Sequence, residues 1–436
     1  MAVLTSSMAK PTTRPSASPT TAAHVVTTRN GIVENRHEIH ACVVDASPAV
    51  QGNNPRPRLL LQLGSSPSRF TLVRSAAKPW QALVIVETGA LERFGFDDAD
   101  LALMCASHSS EERHVARARA MLLARRGNGN GNGDNGNGDN GNGNDGEADL
   151  RCGPHPALLR PRDELWMRSG HVPTPVWSNC SGKHAGVLAA AEVLGAGAEG
   201  YHELAHPVQQ RVRAVTEELS GLRPDEVGWA VDGCNMASPA MPLTNLAHIY
   251  ARFAQAADDV ASSSSSTSSA SSSSAFTSTS SSSPPPSETK RPAAAAAAAA
   301  TALPSPRERH MARIFNAMTT HPDMVAGEDR FCTALMRAFG GRLFGKVGAD
   351  GCYAIGLREG EETRRLGARG ALGIAVKVED GNMDVVYAAA AEILRQLGVG
   401  SDEERRALEP FRQKQLVNTA GLVTGGYEFP FEMQAN

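Results

Sequence analysis

The sequence predicts an α+β fold, in which helices pack on a sheet built from strands near both ends of the chain. Two observations lead to this class. Short segments with alternating or continuous apolar residues occur within residues 31–64 and again within residues 351–394. The chain between them carries apolar residues at helical spacing. Because the strand segments are grouped at the two ends, we expect one sheet that brings the termini together.

The strand signals are five short stretches. The early ones are residues 31–46 (GIVENRHEIHACVVDA) and 58–64 (RLLLQLG). The late ones are residues 351–357 (GCYAIGL), 371–378 (ALGIAVKV) and 383–394 (MDVVYAAAAEIL). We expect the last stretch to begin as a strand and to turn helical. Six segments between and around them have helical periodicity, namely 80–95, 113–126, 182–195, 205–219, 244–257 and 308–318.

Two low-complexity tracts each follow one of these helical segments. Residues 127–146 contain only Gly, Asn and Asp, and residues 262–306 are rich first in Ser, then in Pro and then in Ala. Such compositions cannot build a core, so both tracts are predicted to be disordered insertions in loops. With a disordered tail at residues 1–24, one domain over residues 25–430 accounts for the rest of the chain.

Composition argues against two classes of partner. The 436 residues are 41% hydrophobic and carry a formal net charge of −3, which gives no electrostatic reason to expect nucleic acid. The chain also lacks the run of about 18 apolar residues that a membrane span needs.

Seven cysteines, without a secretory apolar segment, predict free thiols in a reducing compartment. We therefore expect a cytoplasmic protein. A mitochondrial transit peptide shares the basic, Ser-rich bias of the first residues, and we favour a plain tail.

A Ser-x-x-Lys pattern, Ser75-Ala-Ala-Lys78, precedes an apolar helical segment. Residues three apart on a helix lie on one face, and a neutral lysine there can take the proton of the serine hydroxyl. Pro79 fits only if the helix begins at about this point. The same spacing occurs at Ser7–Lys10 in the predicted tail and at Ser287–Lys290 in the second low-complexity tract, so the pattern alone is weak. Its alternative interpretation is an ordinary helix start.

Two further elements give the pattern more weight. Ser107 lies in the segment CASHS, and Lys346 lies in KVG at the end or start of a strand. Serine acylases of the penicillin-recognising kind use Ser-x-x-Lys, a loop serine and a Lys-small-Gly strand in this chain order. The three elements therefore predict an acyl-transfer site at Ser75, Lys78, Ser107 and Lys346. A helix cap, a loop serine and a surface lysine remain the alternative.

A second candidate site lies in the segment VWSNCSGKHAGVL. Cys180, with Lys183 or His184 one turn later and the distant Cys234, could supply three ligands to a zinc ion with water as the fourth. From the residues alone His184 is the better third ligand, because a lysine must first lose its proton. A Cys/His hydrolase and a set of merely buried cysteines are the other interpretations.

The motifs TRNGIVENRH, SAAKPWQ, CASHS, NCSGKHAG, AHPVQ, VDGC, HPDMVAGEDRFCT and KVGADG occur in this order. Together they closely resemble the rhizobial-type (thermolabile) L-asparaginases, a family related in fold to serine β-lactamases and glutaminases. The resemblance covers about residues 26–430 outside the two insertions. It implies an antiparallel sheet with flanking helices, hydrolysis of L-asparagine to L-aspartate and ammonia, and a homodimer.

The resemblance also implies roles for individual residues. Ser75 with Lys78, and Ser107 with Lys346, would be two Ser–Lys pairs, with Ser75 as the nucleophile. His184 and Asp232 would bind the substrate, Asp232 facing its α-amino group. One zinc ion per chain, which tunes substrate binding, would be held by three residues. These are Cys180, Lys183 and Cys234, so that the resemblance selects Lys183 over His184.

Two rival functions remain at this point. A glutaminase or another serine amidase differs by one methylene of substrate, which is worth about 1–3 kcal/mol in a pocket. A zinc-dependent scaffold that has lost its chemistry belongs to another class, and the intact serines and lysines argue against it.

Overall fold

The computed structural model describes residues 22–49, 56–127, 146–270 and 303–436. The strands are β1 (Ala23–Arg29), β2 (Ile32–Ala49), β3 (Arg56–Leu63), β4 (Phe70–Leu72), β5 (Gly228–Val231), β6 (Ala237–Pro242), β7 (Leu343–Gly348), β8 (Cys352–Leu357), β9 (Leu372–Val378), β10 (Leu416–Val417), β11 (Val423–Glu428) and β12 (Gln434–Ala435). The helices are α1 (Lys78–Glu87), α2 (Ala90–Phe94), α3 (Asp98–Met104), α4 (Glu112–Gly127), α5 (Arg160–Ser169), α6 (Ser181–Val193), α7 (Pro207–Ser220), α8 (Leu243–Ala270), α9 (Pro306–Thr320), α10 (Pro322–Val325), α11 (Phe331–Ala338), α12 (Glu361–Arg365), α13 (Met383–Gln396), α14 (Asp402–Arg406) and α15 (Glu409–Arg412).

Nine of the described strands form one antiparallel sheet. Its order is β10-β11-β1-β2-β9-β8-β7, and β3 pairs with β2 and with β12. The long β2 joins the two ends of the chain, because it pairs with β1 and β3 and also with β9. Strand β1 in turn pairs with β11, for example Val26 with Glu428. The predicted α+β fold, with an antiparallel sheet and flanking helices, is confirmed, and the sheet joins the termini as expected.

Helices α8 and α13 both contact β8 and β9. Every residue of β7, β8 and β9 is buried, so both faces of this part of the sheet are covered. Lys346 is the fourth residue of β7, which places a lysine inside the most buried part of the domain. A second sheet of three strands, β4-β6-β5, lies beside the helices.

Two expectations differ from the structure. Residues 383–394 do not begin as a strand, because the whole of α13 is helical and the Asn382 side chain accepts hydrogen bonds from the Asp384 and Val385 amides at its start. Helix α8 continues to Ala270, so residues 262–270, which we expect to lie in a loop, are helical.

Most of the segments that we predict to be disordered lie outside the described residues. This holds for residues 1–21 of the predicted tail, for residues 128–145 of the first insertion and for residues 271–302 of the second. The described chain resumes before α9, where the Ser305 side chain accepts a hydrogen bond from the Glu308 amide.

All seven cysteines are free and buried, in agreement with the prediction of thiols. Across the described ranges, no helix combines the length and the apolarity that crossing a membrane requires.

Helix α6 packs unusually close to its neighbours, and two glycines allow it. A Cβ atom on Gly182 would lie 2.6 Å from the carbonyl oxygen of Leu103, at the end of α3. A Cβ atom on Gly186 would lie 2.8 Å from the side chain of Ile85 in α1. The close approach holds the first turn of α6, with Cys180 and Lys183, against the segment that carries Ser107.

We predict that Gly182→Ala destabilises the protein although alanine favours helices. In an exposed helix the change from glycine to alanine would raise the free energy of unfolding by about 0.5–1 kcal/mol. Here the new methyl group would meet the backbone of Leu103, so we expect the free energy of unfolding to fall by about 1–3 kcal/mol. Urea unfolding gives the difference in free energy. Gly153→Ala is the matched control, since its Cβ atom would meet nothing within 4 Å. Equal stability of the two variants would contradict the packing argument.

Candidate active site

Ser75 lies in a 3-10 turn, Arg74–Ala77, that leads directly into α1. Pro79 occupies the first turn of α1, where its missing N–H leaves no bond unmade, as the sequence predicts. The turn is held from two sides: the Val73 amide donates to the Pro239 carbonyl at 3.0 Å, and the Tyr250 hydroxyl donates to the Ala76 carbonyl at 2.8 Å. The N-terminal end of α1 favours negative charge that develops next to it.

Two buried lysines converge on Ser107. The distance from Lys346 Nζ to Ser107 Oγ is 2.8 Å, and the distance from Lys78 Nζ to the same oxygen is 3.1 Å. Lys78 also donates to the Ala106 carbonyl, and Lys346 donates to the Val347 carbonyl. The expected contact between Ser107 and Lys346 is therefore present. Among the described residues no hydrogen bond joins Lys78 to Ser75, so Lys78 contacts the loop serine and not the serine of its own turn.

Burial and a like charge act together on Lys346. The side chain is fully buried, and burial, followed by the charge of Lys78, lowers the pKa of Lys346 from 10.5 to about 7. A lysine with this pKa is neutral in a substantial fraction of molecules at pH 7, and the neutral amine has a lone pair for the proton of the hydroxyl that it contacts. The geometry and the pKa together make Lys346 Nζ the candidate base of the site.

A stacked pair of histidines supports the Ser107 loop. The rings of His108 and His114 lie 4.9 Å apart, centroid to centroid, and burial lowers the pKa of both. His108 Nδ1 accepts from the Ser110 amide at 3.1 Å, so its Nε2–H donates to Ser181 Oγ at 3.0 Å. This bond ties the loop to the first residue of α6. The pattern CASHS marks His108 only as a neighbour of Ser107, and the stacking partner is visible only in the fold.

The three predicted zinc ligands come together. Cys180 and Lys183 lie at the start of α6, and Cys234 lies in the loop after β5, with 3.0 Å between Lys183 Nζ and Cys234 Sγ. Lys78 Nζ lies 3.1 Å from Cys180 Sγ, which links this cluster to Ser107. Two sulfurs and an amine nitrogen form a buried set of three donors, and zinc sites with an open position use three protein ligands. The donor set therefore fits a zinc ion.

The two thiols and the lysine amine shift each other's pKa values. A hydrogen bond from Cys180 lowers the pKa of Cys234 to about 5 against the effect of burial, and Lys183 adds to this. The same bond, with burial, raises the pKa of Cys180 to about 12. Although burial opposes the charge of Lys183, the two cysteines and Asp232 raise its pKa. Cys234 is thus a thiolate paired with an ammonium group. No group of three or more His, Cys, Asp or Glu residues in the described chain forms a metal site.

His184 lies next to these residues but does not join them. It is fully buried, its Nδ1 lies 2.6 Å from the Tyr201 hydroxyl, and its Nε2 has no hydrogen-bond partner. Lys183, not His184, contacts Cys234. The choice of His184 as ligand from the residues alone is therefore not supported by the contacts.

Asp232 is held by an arginine that sequence reasoning missed. Arg74 Nε donates to Asp232 Oδ1 at 2.7 Å, and the same guanidinium pairs with Asp350. Despite burial, Lys183 and Arg74 lower the pKa of Asp232, which is therefore ionised. Arg74, which directly precedes Ser75, has a φ of 49°, a conformation that strains a residue with a side chain. Arginine is the common basic residue of this chain, so no local signal distinguished it.

Ser75 and Ser107 both line a cavity of about 410 Å³. Asn179, Arg330 and Asp350 contribute to its polar wall. Neither His184 nor Asp232 lines this cavity, and Asp232 is connected to it through Arg74 and Asp350. The structure thus brings the two serines to one cavity and sets the two predicted substrate ligands behind it.

A serine hydroxyl in contact with a lysine that is neutral near pH 7, open to a cavity in an α+β domain, is the kind of site that hydrolases use. The chain belongs to the L-asparaginase II family, whose model matches residues 25–280 and 288–429. It is therefore an L-asparaginase, a hydrolase that acts on the small molecule L-asparagine. No curated protein sequence matches the chain. The resemblance to the rhizobial-type asparaginases is confirmed by the family.

We predict that Arg74→Ala lowers kcat/KM for L-asparagine by about 10- to 100-fold, because it releases Asp232 and Asp350, the two carboxylates that the residue before Ser75 holds in place. Ammonia release at several substrate concentrations gives kcat and KM separately. Arg313→Ala is the matched control, since Arg313 also bridges two carboxylates, Glu92 and Asp98, far from the cavity. A similar loss in both variants would show that Arg74 acts only through stability.

Proposed function

We propose that the chain hydrolyses L-asparagine through an acyl-enzyme on Ser75, with Ser107 and Lys346 as the path for its proton. The observation that carries the proposal is the position of Ser107 Oγ within hydrogen-bond distance of two lysine amines, one of which has a pKa near 7. Ser75 shares the cavity with Ser107, which supports a transfer of its proton to the loop serine. Lys78 holds Ser107 in position, and its charge lowers the pKa of Lys346.

The acylation step uses these groups in order. Lys346 Nζ takes the proton of Ser107 Oγ, Ser107 takes the proton of Ser75 Oγ, and Ser75 Oγ attacks the side-chain carbonyl carbon of the substrate. The C–N bond then breaks, and the nitrogen takes one proton back through the same groups and leaves as ammonia. Water attacks the resulting ester, gives up its proton to the same path, and releases L-aspartate from Ser75.

The carboxylate proposed to bind the substrate, Asp232, lies behind the cavity and is connected to it through Arg74 and Asp350. In the proposal, the ionised Asp232 attracts the α-ammonium group of L-asparagine, and its pairing with Arg74 orients it. His184 lies deeper and holds the Tyr201 hydroxyl, so its part in binding would be exerted through the packing around Lys183.

One zinc ion per chain is also part of the proposal, with Cys180, Lys183 and Cys234 as its ligands. When bound, zinc would supply a fixed positive charge that tunes substrate binding. Binding would require Lys183 and Cys180 to give up their protons. Lys78, which contacts Cys180 Sγ, would then orient that ligand from outside the metal's first shell of donors.

A homodimer, a cytoplasmic location and the preference for L-asparagine over L-glutamine stay predictions. A glutaminase on the same scaffold differs by one methylene, which is worth roughly a 10- to 200-fold ratio of kcat/KM. Assays with both amides therefore accompany each of the following tests.

We predict that Ser75→Ala lowers ammonia release from L-asparagine by at least about 10³-fold with the fold retained. Acid quenching of the wild type during turnover, followed by mass spectrometry of peptides, should locate an aspartyl ester on Ser75. An ester on Ser107 would contradict the assignment and would make the loop serine the nucleophile.

We predict that kcat/KM falls about tenfold for each pH unit below about 7, because protonated Lys346 cannot accept a proton. Above this pH the amine is neutral and the rate should reach a plateau. Lys346→Met should lower kcat/KM by about 10²- to 10⁴-fold. The zinc content of the enzyme, measured at each pH, separates loss of metal from loss of the base. A flat profile between about pH 5 and about pH 8 would exclude Lys346 as the base.

We predict one zinc ion per chain in protein purified from zinc-supplemented medium, and its loss in Cys234→Ala. Elemental analysis of the purified protein measures the metal directly. Cys42→Ala, which removes a buried thiol from the sheet, should retain the metal. A folded wild type that binds no zinc would refute the ligand assignment.

A further inference from the structure

The cavity at Ser75 and Ser107 is larger than the substrate of the family requires. Its volume of about 410 Å³ falls in the range of about 300–1,000 Å³ that is typical of pockets for drug-sized molecules. L-Asparagine is much smaller than such molecules. The active site therefore has room for a substituent that ordinary asparagine lacks.

The additional wall of the cavity is apolar. It consists of two leucines that precede α5, Leu158 and Leu159, and of Phe331, Met383, Tyr387 and Phe411. Three of these side chains form an aromatic cluster. The ring centroids of Phe331 and Tyr387 lie 5.0 Å apart, and those of Phe331 and Phe411 lie 5.2 Å apart with the rings edge to face.

The aromatic cluster is buried at one residue and partly accessible to solvent at the others. Phe331 is buried, whereas Tyr387 and Phe411 are half-buried and Leu158 is 43% exposed. Aromatic rings prefer offset or edge-to-face contacts at such separations. A further ring that enters the cavity therefore meets accessible apolar surface at Phe411 and Leu158.

The chemistry of the substrate decides which of its parts faces this wall. The α-ammonium and α-carboxylate groups are charged, and burying a charge against apolar side chains is costly. The carbonyl carbon must lie at the serine. The amide nitrogen is uncharged and leaves in the reaction, so a group attached to it can lie on the apolar wall without changing the acyl group.

We propose that this enzyme also hydrolyses L-asparagine derivatives whose side-chain amide nitrogen carries an aromatic or other apolar group, releasing L-aspartate and the corresponding primary amine. The inference rests on the proposed function of Ser75. The Ser75 oxygen forms the ester bond, the C–N bond breaks, and the amine leaves with the proton that the serine gave up. Water then cleaves the ester, so that one amide and one water yield one acid and one amine.

The test compares N4-benzyl-L-asparagine with L-asparagine, by release of benzylamine and of ammonia. For the wild type we expect kcat/KM values within about tenfold of each other. Phe411→Ala should lower the value for the benzyl compound by about tenfold, which is the size of one aromatic contact, and the value for L-asparagine by less than about twofold. Leu158→Ala removes an aliphatic contact from the same apolar wall, and it provides the test if Phe411→Ala does not fold. Phe70→Ala, which removes an exposed ring outside the cavity, should change neither value.

Turnover of L-asparagine without release of benzylamine would overturn the inference and leave the proposed function intact. An equal loss for both substrates in Phe411→Ala and Leu158→Ala would also overturn it, because the wall would then serve binding of the amino acid itself. If the folded wild type hydrolyses neither compound, the proposed function fails and the inference with it.

Discussion

The site depends on the burial of two lysine amines around one serine hydroxyl. Lys78 and Lys346 both reach Ser107 Oγ, and neither side chain is exposed to solvent. Two buried ammonium groups that contact one oxygen repel each other, and their burial keeps solvent from screening that repulsion. The cost is relieved when Lys346 gives up its proton, and burial together with the charge of Lys78 accordingly lowers the pKa of Lys346 to about 7. The same constraint that opposes folding of the fully charged form thus favours a neutral amine beside Ser107.

The lysine cluster and the sulfur cluster form one connected unit. Lys78 contacts both Ser107 and Cys180, and Lys183 contacts Cys234. Helix α6 can bring its first turn this close to α3 because residue 182 is glycine. A change at Cys180 would therefore reach Ser107 through the one side chain of Lys78, which contacts both. This connection gives a physical route by which a metal in the sulfur cluster could tune the chemistry at the serines.

Site residues that lie close together in the chain were easier to predict than those that lie far apart. Ser75 with Lys78, and Cys180 with Lys183, are local patterns, and the sequence located them on the correct elements. The distant contacts were harder to predict. The chain order of motifs led to Ser107 with Lys346 and to Cys234, but nothing local showed that Lys78 contacts Ser107 and not Ser75. The side-chain direction of a residue at a helix start depends on what packs against it, here the loop that carries Ser107.

The fold, like the site, was predictable where the pattern is local and was mispredicted where a local pattern has two structural solutions. Alternation and helical periodicity located β2, β3, β8 and β9 and six of the longer helices, because these patterns record which face of an element is buried. The six are α1, α4, α6, α7, α8 and α9. They misassigned residues 383–394, where the alternating start of the segment lies in a helix that Asn382 caps.

The sequence by itself determined the fold class, the family and the types of residue in the site, because eight ordered motifs and the strand and helix periods are written in the chain. Only the tertiary structure decided the partner of Lys78, the role of Arg74 between Asp232 and Asp350, and the apolar wall of the cavity. The physical reason is that these features join residues far apart in the chain, and their contacts depend on how the helices pack against β7 and the sheet.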